Sequence, residues 1–416
     1  MKSHQAGLVA ACAAILCAAS PAIGATLTAK TSFGGGDGWR APFEVLSGDT
    51  PASASSGNYR FLGNAVTNTA INPGNTERGF AYNPTSGNLL LVSRGTGTDR
   101  IRILDGQTGV DKGSLDLTGI TGGTFAMNMI GVADDGAIYM ANLAGNVNDG
   151  PFKIYRWANE AAVPTVAYIG GGAGNPAPPL AGTRLGDSFD VIGSGANTRL
   201  VAGYGSTPSI AGSNGFALFD TDDGATFMAA SIPVTSSAPF TAIPSGEFRL
   251  GISFVDSDTI VGKSSINPAT VVDISGATAA VSAQHTTDGI TLRPMDFAVV
   301  AGIPVMAMVE ATTGTTDPVR SRIFVYDMTN PALPLADRKL GQASALPGPQ
   351  ATNANSVGQV KFGAIVGNTA TIYAMSTNNG IQAFELTVIP EPTTLALAGA
   401  GLLGLVTIAR RRAIVC

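Results

Sequence analysis

A unit of four short apolar segments recurs along this chain, and it limits the possible folds more than any other feature of the sequence. In the first unit the segments are residues 78–83, 88–93, 100–105 and 112–117, separated by turn-forming residues. Further units, less regularly spaced, begin at Met127, Asp187, Arg249, Pro294 and Gly358. Four strands joined by tight turns form one antiparallel sheet, and a repeat of about 45–65 residues is typical of β-propeller blades.

The pattern inside the units predicts an all-β, six-bladed β-propeller. The second segment of each unit, such as residues 88–93, is almost entirely apolar or small, as expected for a strand buried on both faces. The third segment alternates more regularly, which is typical of a strand nearer the rim. Seven blades and a large β-sandwich remain open as alternatives, although a sandwich does not require the same four-segment order six times.

The sixth unit is incomplete. Its third segment, residues 381–386, runs directly into the C-terminal tail, so that no fourth segment follows it. An uncovered strand edge invites aggregation, so a strand from the other end of the chain is expected to pair with it. Residues 58–64 or residues 25–31 can supply that strand, which would place the two ends of the body side by side.

The N-terminus has the pattern of an export signal. A short basic start precedes an uncharged apolar segment, residues 6–19, and small residues at positions 22 and 24 predict cleavage before Ala25. We therefore expect residues 1–24 to be a signal peptide for the Sec pathway. Residues 9–12 also fit a lipoprotein box that would make Cys12 the first mature residue, although the apolar segment before it is short for that purpose.

The C-terminus has three parts in sequence. The first part is Pro390, Glu391 and Pro392, whose prolines interrupt regular secondary structure. An uncharged apolar run, residues 393–409, follows, and the last part is a basic cluster of Arg410, Arg411 and Arg412. The apolar run of about 17 residues is just long enough for a transmembrane-type helix.

This arrangement resembles the PEP-CTERM sorting signal of Gram-negative bacteria. The resemblance covers residues 389–412 and implies processing by an exosortase-type enzyme. It also implies transient anchoring in the inner membrane before the protein reaches the cell surface or the extracellular matrix. Ile389 replaces the commoner valine, and residues 413–416 extend past the arginines. The body of the chain is then residues 25–388, expected as one propeller domain.

The body lacks residues on which several kinds of site depend. The three cysteines are Cys12, Cys17 and Cys416, so residues 25–388 can form no disulfide, zinc–thiolate site or cysteine nucleophile. Without Lys2 and the three C-terminal arginines, 20 of the 24 basic residues remain against all 29 acidic ones, a net charge of −9. A nucleic-acid partner or an anionic membrane requires a surface of the opposite sign.

Histidine chemistry is nearly excluded as well. His285 is the only histidine outside the predicted signal peptide, so no site with two or three histidine ligands can form. A Ser-His-Asp triad would have to use this residue. Its neighbours, residues 284–289, are polar and turn-forming, and we expect a solvated turn histidine.

One acidic turn has partial features of a calcium loop. Asp220, Asp222 and Asp223 alternate with or adjoin small polar residues, but the glycine of this turn comes one position early and no terminal glutamate follows. The same Asp-Asp-Gly sequence is common in hairpin turns and recurs at residues 134–136. Bound Ca2+ is therefore a candidate beside an ordinary turn, and no other cofactor is predicted.

Charged residues on the first strand of several units form the second candidate site. Innermost strands line the central channel of a propeller, and the carboxylates Asp187, Asp190 and Asp296 lie on or beside such strands, with the arginines Arg78, Arg249 and Arg293 in matching positions of other units. This set is able to bind a polar ligand or a cation. The alternative is that its members pair with one another and join the blades.

Two functional classes follow from these observations. The first is an exported, non-catalytic surface or matrix protein that is associated with exopolysaccharide or other surface proteins. The second is an extracellular enzyme that cleaves a polysaccharide or an ester with channel carboxylates. Convergence of Asp187, Asp190 and Asp296 at one channel mouth would favour the enzyme, whereas pairing of each with a cation would remove its support.

Overall fold

The computed structural model describes residues 24–389 except for residues 51–53, 56–57, 60, 63–76, 95–99, 176–178, 206–213, 265–267, 287–291, 312–320, 344–352 and 354–355. Within this part, six antiparallel sheets form the blades of one ring. All but one residue of the predicted signal peptide, and all of the predicted tail after Ile389, lie outside the described residues.

The strands follow the order of the predicted segments. Before the first blade come β1 (Gly24–Ala29), β2 (Trp39–Arg40), β3 (Ala54–Ser55) and β4 (Asn58–Tyr59). Blade 1 contains β5 (Glu77–Tyr82), β6 (Asn88–Ser93), β7 (Arg100–Asp105) and β8 (Asp111–Ser114), and blade 2 contains β9 (Phe125–Val132), β10 (Ile138–Leu143), β11 (Phe152–Trp157) and β12 (Thr165–Gly170). Blade 3 contains β13 (Asp190–Ile192), β14 (Arg199–Gly203), β15 (Phe216–Asp220) and β16 (Met228–Ile232).

The remaining blades have small additions to the same plan. Blade 4 contains β17 (Val234–Thr235), β18 (Ile252–Phe254), β19 (Thr259–Gly262), β20 (Ala269–Ser275) and β21 (Thr278–His285), with β17 parallel to β21. Blade 5 contains β22 (Leu292–Val300), β23 (Ile303–Glu310), β24 (Ile323–Asp327) and β25 (Lys339–Gln342), and blade 6 contains β26 (Gly358–Val366), β27 (Thr369–Ser376) and β28 (Ile381–Ile389). Helix in the described residues is limited to the 3₁₀ turns Gly34–Gly36, Gly195–Asn197 and Leu335–Arg338.

The six-bladed propeller is thus confirmed over seven blades and over a sandwich. The inner strands, β5, β9, β13, β18, β22 and β26, each lie beside the inner strands of the two neighbouring blades and close the ring. In blade 5, residues 335–338 form a 3₁₀ turn, and the fourth strand starts only at Lys339. Two prolines, Pro331 and Pro334, precede this turn, and they lack the backbone N–H that a ladder needs.

The second strands show why the ring is stable. On β6, Leu89 and Leu91 belong to the apolar cluster shared with blade 6, whereas Leu90 and Val92 belong to the cluster shared with blade 2. Successive side chains of a strand point to opposite faces, so a strand between two blades must be apolar at every position. The predicted burial of this segment on both faces is confirmed.

The last blade is completed by the first strand of the chain. β1 pairs antiparallel with β28, in a register that places Gly24 opposite Ile389 and Leu27 opposite Leu386. Of the two segments predicted to close the ring, residues 25–31 are therefore correct. The other, residues 58–64, contributes β4 to a two-stranded hairpin instead. Signal-peptide cleavage at the predicted site would remove only the first residue of β1.

The segment after β1 holds blade 6 against blade 1. β2 pairs with the start of β28, and the Arg40 guanidinium, which is fully buried, binds the Asp49 carboxylate at 2.7 Å. Arg40 also donates a hydrogen bond to the carbonyl of Gly109 in blade 1. Residues 39–49 therefore join the last blade to the first.

The two ends of the ring differ. At the end where inner strands finish, called the turn face here, they are joined to the second strands by connections of two to six residues. At the other end, called the loop face, connections reach 19 residues, as between β12 and β13. Long connections on a rigid scaffold are where binding residues gather, which makes the loop face the place to look for a site.

Both ends of the body leave from the turn face. The backbone N–H of Val388 donates to the carbonyl of Asn368 at 2.9 Å, and Asn368 belongs to the tight turn that follows the inner strand β26. Gly24 lies opposite Ile389, so it shares this corner. No helix among the described residues has the length and apolarity needed to cross a membrane, and the predicted transmembrane-type helix lies beyond them.

Candidate functional site

An ionic network crosses the central channel. The ammonium of Lys361, on the inner strand of blade 6, lies 2.5 Å from Asp190 Oδ1 of blade 3 and 2.9 Å from Asp296 Oδ1 of blade 5. The Ser253 hydroxyl of blade 4 lies 3.1 Å from Asp190 Oδ2 and 3.3 Å from Asp296 Oδ1. In a ring of six, blade 3 stands opposite blade 6, so the network spans the channel.

Each of these aspartates also fixes the next blade. Asp190 Oδ2 accepts a hydrogen bond from the backbone N–H of Phe254 at 2.8 Å, and Asp296 Oδ2 accepts one from Phe362 at 2.7 Å. Neighbouring inner strands belong to different sheets and share no ladder with each other. The two carboxylates therefore supply hydrogen bonds that would otherwise be missing from these buried backbone groups.

The network is strongly coupled. Burial raises the pKa of Asp296, the nearby Asp190 carboxylate raises it further, and Lys361 opposes both effects. Burial alone would lower the pKa of Lys361, but the two carboxylates outweigh it and raise that pKa above its ordinary value. A buried cation between two carboxylates thus keeps its charge because its partners are within contact distance.

Buried side chains stand between this network and the loop face. Met129, Leu250, Ile252 and Met295 line a cavity there of only about 10 Å³. This is the space needed by one water molecule. Asp190 and Asp296 are 4% and 7% exposed, so little of either side chain is accessible to a ligand.

Asp187 lies above this layer, at the loop face. Arg184 holds its carboxylate through two bonds, at 2.6 Å from Nε and 3.0 Å from Nη2, and Arg249 Nε adds a third at 2.6 Å. Burial would raise the pKa of Asp187, but the hydrogen bonds and charges of the two arginines outweigh it and hold that pKa below its ordinary value. Asp187 is an ionised anchor for two arginines.

Arg78 extends the cationic surface toward blade 1. Its Nε donates to Asn128 Oδ1 at 2.5 Å, and its guanidinium lies 4.8 Å from the centre of the Phe125 ring, which Arg94 also contacts at 3.4 Å. Burial lowers the pKa of Arg78 to about 10; Arg94 and Arg184 lower it further, whereas Asp187 opposes the change. The shift is therefore mainly an effect of burial, and the two neighbouring arginines contribute less to it.

Blades 4 and 5 add further cations. Arg293 lies near Arg249, and burial, followed by the charge of Arg249, lowers its pKa. Burial also lowers the pKa of Lys263 to about 8, with Glu247 opposing and Arg293 reinforcing the shift. We call this set the arginine mouth: Arg78, Arg94, Arg184, Arg249, Arg293 and Lys263, with the carboxylates Asp187 and Glu247. Basic groups outnumber acidic ones here, although residues 25–392 carry a net charge of −9.

The structure thus divides the predicted channel residues into two groups. Asp187, Arg78, Arg249 and Arg293 lie together at the loop face, whereas Asp190 and Asp296 lie deeper and are bound by Lys361; their role in binding a ligand stays a prediction. Sequence reasoning missed Lys361, Arg184, Arg94 and Asn128. A charged residue within the first segment of the sixth unit was the available signal for Lys361, and the three-residue spacing to Asp187 was the signal for Arg184.

The calcium candidate forms a self-contained turn. The Asp223 carboxylate accepts hydrogen bonds from the backbone N–H groups of Ala225 and Thr226, at 2.7 and 2.8 Å, and these bonds lower its pKa. Asp220 is paired with Arg199 at 2.7 Å. Among the described residues no group of three acidic, histidine or cysteine side chains is gathered closely enough to hold a metal ion. Calcium binding by Asp220, Asp222 and Asp223 stays a prediction.

His285 differs from its predicted environment. It is the last residue of β21, it is only 3% exposed, and its Nδ1 lies 2.9 Å from Nη2 of Arg338. Burial, with a smaller contribution from Arg338, lowers its pKa to about 4. The expected solvated turn histidine is therefore wrong: this is a neutral packing residue that accepts a hydrogen bond from an arginine.

Glu77 is a second buried carboxyl group at the loop face. It is the first residue of β5, it is fully buried, and Oε2 accepts a hydrogen bond from the backbone N–H of Asn378 at 2.8 Å. Burial raises its pKa from the ordinary value of 4.5 to about 7, and the hydrogen bond opposes this shift. Glu77 is thus partly protonated at neutral pH.

The Lys361 network gives a direct prediction for stability. We expect Lys361→Met to lower the free energy of unfolding at pH 7 by about 3–5 kcal/mol, because two buried carboxylates lose their shared cation. Acidification should recover part of the loss, since protonation neutralises those carboxylates. Urea unfolding at pH 7 and pH 5 measures both effects. Full recovery is expected when Asp190→Asn and Asp296→Asn are added; an equally unstable triple variant would contradict the assignment.

The raised pKa of Glu77 predicts a pH dependence. A carboxyl group whose pKa is higher in the folded state binds protons more tightly there, so its contribution to stability is present at low pH and is lost as the pH rises from about 4.5 to 7. Relative to Glu77→Gln, the wild-type protein should lose up to about 3 kcal/mol across this window. Urea unfolding of both proteins at several pH values measures the difference, and a flat difference profile would refute the shift.

Comparison with known proteins adds family information. A profile described as "Domain of unknown function (DUF4623)" matches residues 54–337, and the PEP-CTERM protein-sorting motif matches residues 388–412. None of the curated proteins matches the chain. A DUF4623 family protein from Bacteroides eggerthii, known from its crystal structure, is 20% identical, with a TM-score of 0.59 over 77% of this chain and 72% of that chain.

Two sugar-processing enzymes are further structural neighbours. An α-L-arabinanase from Penicillium chrysogenum is 11% identical, with a TM-score of 0.46 over 79% of this chain and 97% of its own. An α-L-arabinofuranosidase from Fusarium graminearum is 12% identical, with a TM-score of 0.44 over 75% and 93%. The profile match covers well over half of the sequence and includes the first four blades and most of the fifth. The chain therefore belongs to the DUF4623 family and carries a PEP-CTERM sorting motif at its C-terminus.

Proposed function

We propose that this protein is an exported, non-catalytic component of the cell surface or the extracellular matrix, and that its propeller binds exopolysaccharide or other surface proteins. One observation carries the non-catalytic part. Each carboxylate predicted for the channel is buried and paired with a cation: Asp187 with Arg184 and Arg249, and both Asp190 and Asp296 with Lys361. Hydrolysis of a glycoside requires two carboxyl groups that flank the scissile bond.

Export and processing follow from the sorting motif. The motif indicates an exported protein with a cell-surface or extracellular fate and implies processing by an exosortase-type enzyme. We infer that residues 1–24 direct Sec export, and that residues 393–409 hold the protein in the inner membrane until the tail is cut. Pro390, Glu391 and Pro392 follow β28 directly, so cleavage there would leave every blade intact.

The position of the termini gives this scheme an orientation. Both ends of the body leave from the turn face, where Val299, Val366 and Ile389 are 54%, 74% and 50% exposed. While the tail is uncut, this face would be the one nearest the bilayer. The arginine mouth would then point away from the membrane, toward the matrix.

The alternative, that the protein is an extracellular enzyme, can be tested separately. A hydrolase would have to use carboxyl groups other than the paired channel residues, for example Glu77, whose pKa of about 7 suits an acid but whose side chain is fully buried. Incubation of the purified protein with exopolysaccharide from its own host should release no new reducing ends. Release that disappears in Glu77→Gln would establish the enzyme and overturn the proposal.

The sorting scheme predicts the C-terminus of the mature protein. Mass spectrometry of protein recovered from cells, matrix and medium should find a terminus near Pro392 in the matrix or medium fraction. A Pro390→Ala, Pro392→Ala variant should remain full-length in the membrane fraction, because the processing enzyme no longer recognises it. An intact Cys416 in every wild-type fraction would contradict processing.

A further inference from the structure

The arginine mouth contains donors that the described protein leaves unused. Nη1 of Arg78 and Nε of Arg293 are buried and have no hydrogen-bond partner among the described residues. A buried donor without a partner costs free energy, and a buried guanidinium costs more than a neutral group. These two atoms belong to arginines on the inner strands of blades 1 and 5.

The charge of the mouth points to an anion. Asp187 already binds Arg184 through two bonds and Arg249 through one, so it is saturated by two of the arginines. Arg78 and Arg94 both contact the ring of Phe125, and Arg293 is close enough to Arg249 for the charge of Arg249 to lower its pKa. Like charges are brought together at a cost in free energy, and an anion placed among them would remove that cost.

The geometry of the guanidinium groups limits which chemical groups of a ligand can bind at the arginine mouth. A guanidinium presents its N–H groups as a planar fork that matches the two oxygens of a carboxylate, or two oxygens of a sulfate or phosphate. Arg249 keeps 28% of its side chain exposed, so a ligand can reach the mouth from the loop face. The cavity below has room for no more than one water molecule, so we expect the ligand to be bound by an end or a side group.

We propose that the arginine mouth binds an oxyanion group, a carboxylate or a sulfate, on an acidic saccharide, with Arg249 and Arg293 as the principal contacts. This inference rests on the proposed matrix association and names the chemistry of the ligand. Because the rest of the body is acidic, a polyanionic saccharide is repelled elsewhere and held at this mouth.

Calorimetric titration of the exported, processed protein tests this site. The probes are trigalacturonate for the carboxylate, a sulfated disaccharide for the sulfate, and a neutral galactose trisaccharide. We expect one site per chain for at least one acidic probe, weaker binding at higher salt, and no binding of the neutral sugar. The acidic probe that binds identifies the group. Binding of neither acidic probe, or equal binding of the neutral sugar, would overturn the proposal.

A matched pair of variants locates the site. Arg249→Gln removes a contact of the mouth and should weaken binding roughly 10-fold or more, as expected for the loss of a charge-assisted hydrogen bond. Asp187 still keeps Arg184, so the variant should fold, and its thermal midpoint verifies this. Arg199→Gln is the control: its side chain is 20% exposed and it lies at the start of β14, on the turn face. Equal effects of the two variants would overturn the assignment.

Two outcomes separate this proposal from the broader function. If Arg249→Gln abolishes binding of the acidic probe in solution, the site is established whatever the fate of the tail. If the acidic probes fail while the processed protein still fractionates with the matrix, only the ligand assignment falls. Inorganic sulfate that competes as well as the acidic saccharide itself would overturn the saccharide part of the proposal.

Discussion

The pairing of β1 with β28 is the contact on which the rest of the structure depends. Every other blade takes its four main strands from one continuous stretch of chain, but blade 6 takes its outer strand from the opposite end. This pairing covers a strand edge that would otherwise be open, and it closes a ring in which each blade is buried by two neighbours. It also brings both termini to one corner of the turn face, which leaves the loop face with its long connections for binding.

A second constraint acts at the centre of the ring. Six twisted sheets meet there without a shared hydrogen-bond ladder, so side chains must join them. Lys361, Asp190, Asp296 and Ser253 join blades 3 to 6 through buried, charge-assisted bonds. A buried ion network contributes more to the specificity of the fold than to its stability, because the cost of desolvating the charges offsets much of their attraction. These side chains are engaged with one another, and we therefore assign ligand binding to the arginine mouth at the loop face.

The sequence predicted most of the fold because its signals are local. Residues 88–93 are apolar at nearly every position, as expected for a strand that is buried on both faces between two blades. The sequence predicts that either residues 25–31 or residues 58–64 close the ring, and it does not choose between them because both have a strand-like composition. The ionic network was missed because Lys361 and Asp190 are 171 residues apart. His285 was misjudged for the same reason: its neighbours in sequence are polar, but its contact with Arg338 comes from the next blade.

The closure of the ring can be measured directly with a disulfide, because residues 25–389 contain no cysteine. Thr26 lies opposite Thr387 in the β1–β28 register, and strand partners are within the distance that a disulfide spans. The Thr26→Cys, Thr387→Cys variant should form this bond within one molecule and melt at a higher temperature until it is reduced. The pair Thr28→Cys, Thr387→Cys, two residues out of register, should form it poorly. Thiols that stay reduced in both variants, or that link only separate molecules, would contradict the closed ring.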